Sequence, residues 1–148
     1  MMVADDSPLN SPEALDMAAA KIAGKVGTTD IAVLSALDAT TASTTGRDNP
    51  LFNVLRLQRD IGPSSRVGVM YTDRMNGNDW NRVLDVDGRQ VWNTIYSLQW
   101  QVAGSATSRN GVQTNAPLWD TRYNRNGREF AWRTQFTGIS DDFRTESG

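Results

Sequence analysis

Residues Val91–Gly104 read VWNTIYSLQWQVAG. Trp92, Tyr96, Leu98, Trp100 and Val102 share one parity, and Asn93, Ser97, Gln99 and Gln101 share the other. Successive side chains of a strand point to opposite faces, so this stretch predicts a strand with one aromatic-aliphatic face and one amide-hydroxyl face.

The same pattern recurs outward in both directions. Downstream, Leu118–Asn124 opposes Trp119, Thr121 and Tyr123 to Asp120, Arg122 and Asn124. Asn126-Gly127 is a hairpin signal, and the returning strand sets Phe130, Trp132, Thr134 and Phe136 against Glu129, Arg133, Gln135 and Thr137. Upstream, Arg66–Thr72 alternates Val67, Val69 and Tyr71 with polar and small residues, and Leu51–Arg59 places Leu55 and Leu57 opposite Arg56 and Gln58. Val83–Asp87 reads as a short strand closed by an Asp87-Gly88 turn, and Asp30–Leu37 as an apolar strand. Repeated period two predicts an all-β, antiparallel up-and-down meander of about eight strands.

The amino-terminal part carries two competing signals. Ser11-Pro12-Glu13 suits a helix start, Ala14–Ala23 would propagate that helix, and Gly24 would end it. The alternative is a strand over Ala18–Lys25 that turns at 25–27 into the next. We divide the chain into a lead-in at 1–16 and a barrel segment at 17–148, with a short amino-terminal helix as an option.

The connections alternate in length on this reading. Short ones fall at 25–27, 61–64, 87–90 and 125–127; long polar ones fall at 40–50, 73–81 and 105–115. Sorting of long loops to one side is a habit of outer-membrane barrels.

Composition narrows the functional classes. The chain has 148 residues, net charge −2, no His and no Cys. Zinc sites, thiol nucleophiles, disulfides and His relays are thereby removed, and no basic surplus exists for nucleic acid. No apolar run reaches the roughly 18 residues of a transmembrane helix, and Met1–Ser11 contains no signal-peptide pattern. Arg supplies 13 of the 15 cations, and Glu occurs only at Glu13, Glu129 and Glu146. Soluble sheets favour Lys and Glu on their wet face. The Asn, Gln, Ser, Thr, Asp and Arg found here suit a confined, hydrogen-bonded interior instead.

Catalytic signals are weak. Asp85-Val86-Asp87 puts two carboxylates on one strand face, an arrangement glycosidases and metal enzymes use, yet it also reads as a turn residue with a partner for Arg66, Arg122 or Arg133. Asp141-Asp142 is a second acidic pair. DRMNGNDWN at 73–81 holds hard oxygen donors without calcium-loop spacing. No cofactor motif is present. Trp80 and Trp119 are the candidates for stacking on a sugar ring.

AKIAGKVG at Ala20–Gly27, IAVLSALDATT at Ile31–Thr41, NPLFNVLRLQRDIGPSSRVGVMYTDR at Asn49–Arg74, NRVLDVDGRQVWNTIYSLQWQVAGS at Asn81–Ser105 and REFAWRTQFTGISDDFRTESG at Arg128–Gly148 carry a resemblance. In their order and spacing they resemble a bacterial outer-membrane β-barrel domain of uncharacterised function, found carboxy-terminal to modules similar to family-9 carbohydrate-binding domains. The resemblance implies that the chain is a fragment of that domain, without the signal peptide or carbohydrate-binding module, and favours a strand over Ala18–Lys25. It transfers no catalytic residues.

The expectation is therefore a non-catalytic outer-membrane barrel segment. Its partners would be outer-membrane lipid and, through a module absent from the chain, polysaccharide. The competing reading is a soluble β-sandwich or barrel that binds carbohydrate, and a glycoside hydrolase fragment using Asp85 or Asp87 ranks last.

Overall fold

A computed structural model describes residues 18–38, 43, 46 and 48–146. It forms eight strands in one sheet: β1 (Ala18–Val26), β2 (Thr29–Leu37), β3 (Leu51–Asp60), β4 (Arg66–Asn76), β5 (Asp79–Trp92), β6 (Tyr96–Arg109), β7 (Val112–Asn126) and β8 (Ala131–Ile139). Every neighbouring pair is antiparallel and sequential, and β1 and β8 do not pair, so the sheet is an open up-and-down meander. No helix occurs among the described residues.

The helix option fails over Ala18–Ala23, which belongs to β1; Ala14–Met17 and the lead-in at 1–16 lie outside the described residues. Good helix formers lose here because a strand pairs every residue from Ala18 to Val26 with β2, and tertiary pairing outweighs the few tenths of a kcal/mol of local propensity.

Three other boundaries need correction. Val83–Asp87 is the middle of a 14-residue strand, and Asp87-Gly88 is not a turn. Gly88 stands opposite Trp100, and a Cβ there would lie 2.6 Å from the indole, so the glycine makes room for a ring. Val91–Gly104 is two strands: β5 ends at Trp92, residues 93–95 turn, and β6 begins at Tyr96. Because Trp92 pairs directly with Tyr96, the aromatic face continues through the turn.

The expected long connections at 73–81 and 105–115 are tight hairpins. Gly77-Asn78 and Asn110-Gly111 join strands whose ladders run to the turn, with positive φ at Gly77, Asn110 and Gly111. Asn110-Gly111 is the Asn-Gly signal that favours such turns, and at the other hairpin the turn pair is Gly77-Asn78, with Asn76 closing the ladder. Among the connections between described strands only 38–50 is long, so the loop-sorting argument falls.

Register fixes the two faces. One carries Val33, Leu55, Tyr71, Leu84, Val86, Leu98, Trp100, Val102, Trp119 and Phe136. All five Trp and all three Tyr of the chain project from it. The opposite face carries Arg56, Arg66, Asp85, Asp87, Gln99, Gln101, Asp120, Arg122 and Arg133. Burial runs against convention. From Asn81 to Val86 of β5, residues on the polar face are buried and those on the apolar face exposed, in strict alternation.

Candidate functional site on the polar face

The polar face is a network rather than a scatter of charges. Arg56 of β3 reaches over β4 to Asp87 of β5 as a two-pronged ion pair, with Nη2 donating to Oδ1 at 3.0 Å and Nη1 donating to Oδ2. The guanidinium passes directly above Gly68, where a Cβ would come within 2.6 Å of it. A side chain at position 68 would press on the guanidinium and displace it, so the glycine gives the bridge its room.

Asp85 sits one position along the same face, buried and bonded to Gln101, with its Oδ1 lacking a hydrogen-bond partner among the described residues. The paired carboxylates do share a face, as the sequence suggested. The cation that answers Asp87 is Arg56 rather than Arg66, Arg122 or Arg133. The two-pronged guanidinium bridge fixes the position of the Asp87 carboxylate.

Toward the hairpins at 76–79 and 109–112 a strap follows β8. Ser140 donates from its amide to the Pro117 carbonyl at 3.1 Å, and the chain then crosses the polar face. Arg144 N donates to Ser105 Oγ at 3.3 Å, Asn81 Nδ2 donates to the Arg144 carbonyl at 3.1 Å, and Glu146 N donates to Asn81 Oδ1 at 3.3 Å. Glu146 is gripped from two sides, by Arg74 Nη1 at 2.6 Å and by Arg109 Nη2. Burial alone would raise its carboxyl, but the hydrogen bonds from Arg109 and Arg74 outweigh it and hold the group below its ordinary value of 4.5. Nothing in the local sequence around Glu146 signals this clamp, because its partners lie 72 and 37 residues away. Asp141-Asp142 falls in the turn that starts the strap.

At the other end, Arg122 donates to Gln99 and Gln135, both at 3.3 Å, and Asp120 accepts from Gln135 at 2.7 Å and Thr137 at 2.6 Å. Arg133 donates to Asn124 at 2.7 Å. Neutral amides thus link the charged groups of β6, β7 and β8.

The two tryptophans proposed for sugar stacking are not brought together. Trp80 lies under the Arg82 guanidinium, 4.6 Å from the ring centroid. Trp119 stands opposite Gly138. Both are on the apolar face, and the strand rise puts them about 20 Å apart along the sheet. They form no shared platform. The 73–81 segment is a hairpin and not a cation loop, and among the described residues no three Asp or Glu side chains gather as metal ligands.

Compared with protein-family models, curated proteins and solved structures, the chain finds no match in any of the three.

Proposed function

We propose that the chain is a segment of an outer-membrane β-barrel, non-catalytic, serving as anchor or conduit for a surface protein associated with carbohydrate. One observation carries this reading: from Asn81 to Val86 of β5 the polar-face positions are buried and the apolar-face positions exposed, and large side chains such as Leu84, Val102, Trp119 and Phe136 stay uncovered on the apolar face. A face that projects every Trp and Tyr of the chain and leaves its aliphatic side chains uncovered needs a non-aqueous neighbour. Lipid on that side and a water-filled interior on the other satisfy both faces at once.

The dimensions support the reading. On β6 the apolar face runs from Tyr96 to Ala106 before Ser108 ends it. At the strand rise and a barrel's tilt, that span covers about 25 Å of membrane thickness. At one margin Trp92, Tyr96 and Tyr123 stack, with centroids 5.7 to 6.3 Å apart, and Trp132 meets Tyr123 edge-on at 4.9 Å. Such a cluster suits the headgroup region. At the other margin a polar row crosses the apolar face, with Ser35 bonded to Asn53 and Asp73 bonded to Arg82.

The β1 and β8 edges must be paired in lipid, where open backbone groups find no partner. Closure onto each other or onto further strands meets that need.

The deciding experiment is expression of the full chain, with size-exclusion chromatography and circular dichroism in the presence and absence of detergent. β structure and a single species that require detergent or lipid are expected. A sharp monomer with the same spectrum in plain buffer overturns the membrane reading and leaves the soluble carbohydrate-binding module in its place.

A further inference from the structure

One row of the polar face holds two cations, Arg66 and Arg89, with no partner among the described residues. Asp60, Arg66, Arg89, Gln99, Arg122 and Gln135 stand side by side across β3 to β8. Asp60 would be the natural partner of Arg66, but it is bonded to Lys25 at 3.0 Å. Asp87 is taken by Arg56, and Asp120 is engaged by Gln135, Thr137 and, at 3.8 Å, Arg122. Arg66 and Arg89 are directly opposed, exposed, and without hydrogen bond or ion pair among the described residues. Like charges facing each other across a strand pair destabilise a sheet. An anion bound between the two guanidinium groups would relieve that repulsion.

The surroundings specify what kind of anion. An open groove of about 340 Å³ is lined by Arg66, Arg89 and Arg122, by Gln99 and Gln101, and by the Asp87 and Asp120 carboxylates, which are bonded to Arg56 and to Gln135 and Thr137 respectively. It continues into a second hollow bordered by Ser97, Asn124 and Arg133. Guanidinium forks match carboxylates, and amide and hydroxyl groups exchange hydrogen bonds with sugar hydroxyls. By register every Trp and Tyr belongs to the opposite face, with Trp100 and Trp132 bordering the two hollows from that side. The strand spacing sets neighbouring anchors about 5 Å apart and Arg89 to Arg122 about 10 Å apart, so the site is extended rather than a single-ion pocket.

We propose that the Arg66–Arg89–Arg122 row binds a linear acidic oligosaccharide, its carboxylates on the guanidinium groups and its hydroxyls on the intervening amides. This rests on the polar face bordering an aqueous space, as in the reading above, and gives that space a ligand class.

The test is calorimetric titration of the full chain, in micelles or, if it is soluble without them, in buffer. The probes are a galacturonate hexamer, a neutral maltose-series hexamer and a hexaglutamate peptide. Binding of the galacturonate hexamer alone is expected, weakened by salt and at least tenfold weaker in the Arg66→Gln/Arg89→Gln double variant. Arg128→Gln, outside the row, should bind as the parent does. Removing an opposed like-charge pair relieves repulsion, so the double variant is expected to fold, and its β spectrum checks this. Arg89→Lys keeps the charge without the fork and should fall between.

Equal binding of the neutral hexamer or of hexaglutamate overturns the ligand class. Undiminished binding by the double variant overturns the site, as does no binding at all. Each of these outcomes is separate from detergent dependence, so either reading can fail alone.

Discussion

On the apolar face Leu84, Val102 and Phe136 keep 52%, 55% and 61% of their surface exposed, whereas on the polar face Asn81, Asp85 and Ser105 keep 1%, 3% and 3%. In a water-soluble sheet those figures would be exchanged, since burying one large apolar side chain is worth about 1.5–3 kcal/mol. Here few apolar side chains are fully buried within the chain, and the seven strand ladders and the polar network hold the sheet together. The contrast teaches that the alternation of a strand gives the chemistry of each face and leaves open which face is inside. What the polar side chains do bears on that second question. Arg56 bonds Asp87 across β4, Asn81 bonds the strap at Arg144, and Glu146 bonds Arg74, so the polar face is linked across several strands.

The sharpest way to break the contrast is to put the same charge on each side of one strand. Leu98→Arg and Ser97→Arg differ by one position of β6 and by face. In a bilayer Leu98→Arg should cost about 2–4 kcal/mol if it lies near mid-depth, and Ser97→Arg under about 1 kcal/mol. Urea unfolding from lipid vesicles, followed by tryptophan fluorescence, reads both. Equal costs would mean that the apolar face does not meet lipid.

A second pair tests whether the polar face carries stability. Arg56→Ala strands Asp87 beside Asp85 without a cation and should cost about 1–3 kcal/mol, since both members of the bridge are more than two-thirds buried. Arg59→Ala, on the apolar face and without a partner among the described residues, should be neutral or stabilising. If the two variants unfold at the same denaturant concentration, the bridge is decoration.

A smaller effect touches neither face and so calibrates the others. Asn93 and Thr94 both have positive φ in the turn between β5 and β6, at 49° and 59°. A β-branched residue in that region costs roughly 1–2 kcal/mol. Thr94→Gly should recover about 1 kcal/mol in the same unfolding assay, less what glycine adds to the entropy of the unfolded chain. A loss of stability there would show that the threonine hydroxyl, which donates to the Asn93 carbonyl at 2.6 Å, matters more than the backbone.

Much of this architecture was legible. Parity assigned Trp92, Tyr96, Leu98, Trp119 and Tyr123 to one face and Arg56, Gln99 and Arg122 to the other, and the register agrees. Turns were harder. Polar runs at 73–81 and 105–115 look like loops because nothing apolar alternates there, yet strands persist outside the apolar band wherever a neighbouring hairpin completes the ladder. The Asn-Gly pairs at 76–77 and 110–111 were the available signal. Asp87-Gly88 misled in the opposite sense, because a glycine that clears space for Trp100 looks the same in sequence as a glycine that turns a chain. Ion-pair partners were not legible at all. Arg56 meets Asp87 over Gly68, which leaves room for the guanidinium on the strand between them, and Glu146 meets Arg74 through the strap.

That strap gives the finest test of the polar face, because it can be released without unfolding the sheet. Glu146 has a carboxyl held below 4.5 by Arg109 and Arg74. A group whose folded value is depressed contributes its stabilisation above the unfolded value and loses it as pH falls through the folded one. The clamp should therefore be closed at neutral pH and open only in acid below the ordinary glutamate range. Amide resonances of Arg144 and Glu146, which donate to Ser105 and Asn81, should shift together with a midpoint under 4.5, while those of β6 stay in place. Glu146→Gln should abolish the titration and leave the strap partly detached at every pH, since an amide cannot serve as the anion for two guanidinium groups. A midpoint at 4.5 or above would mean that the two arginines do not hold the carboxylate in solution.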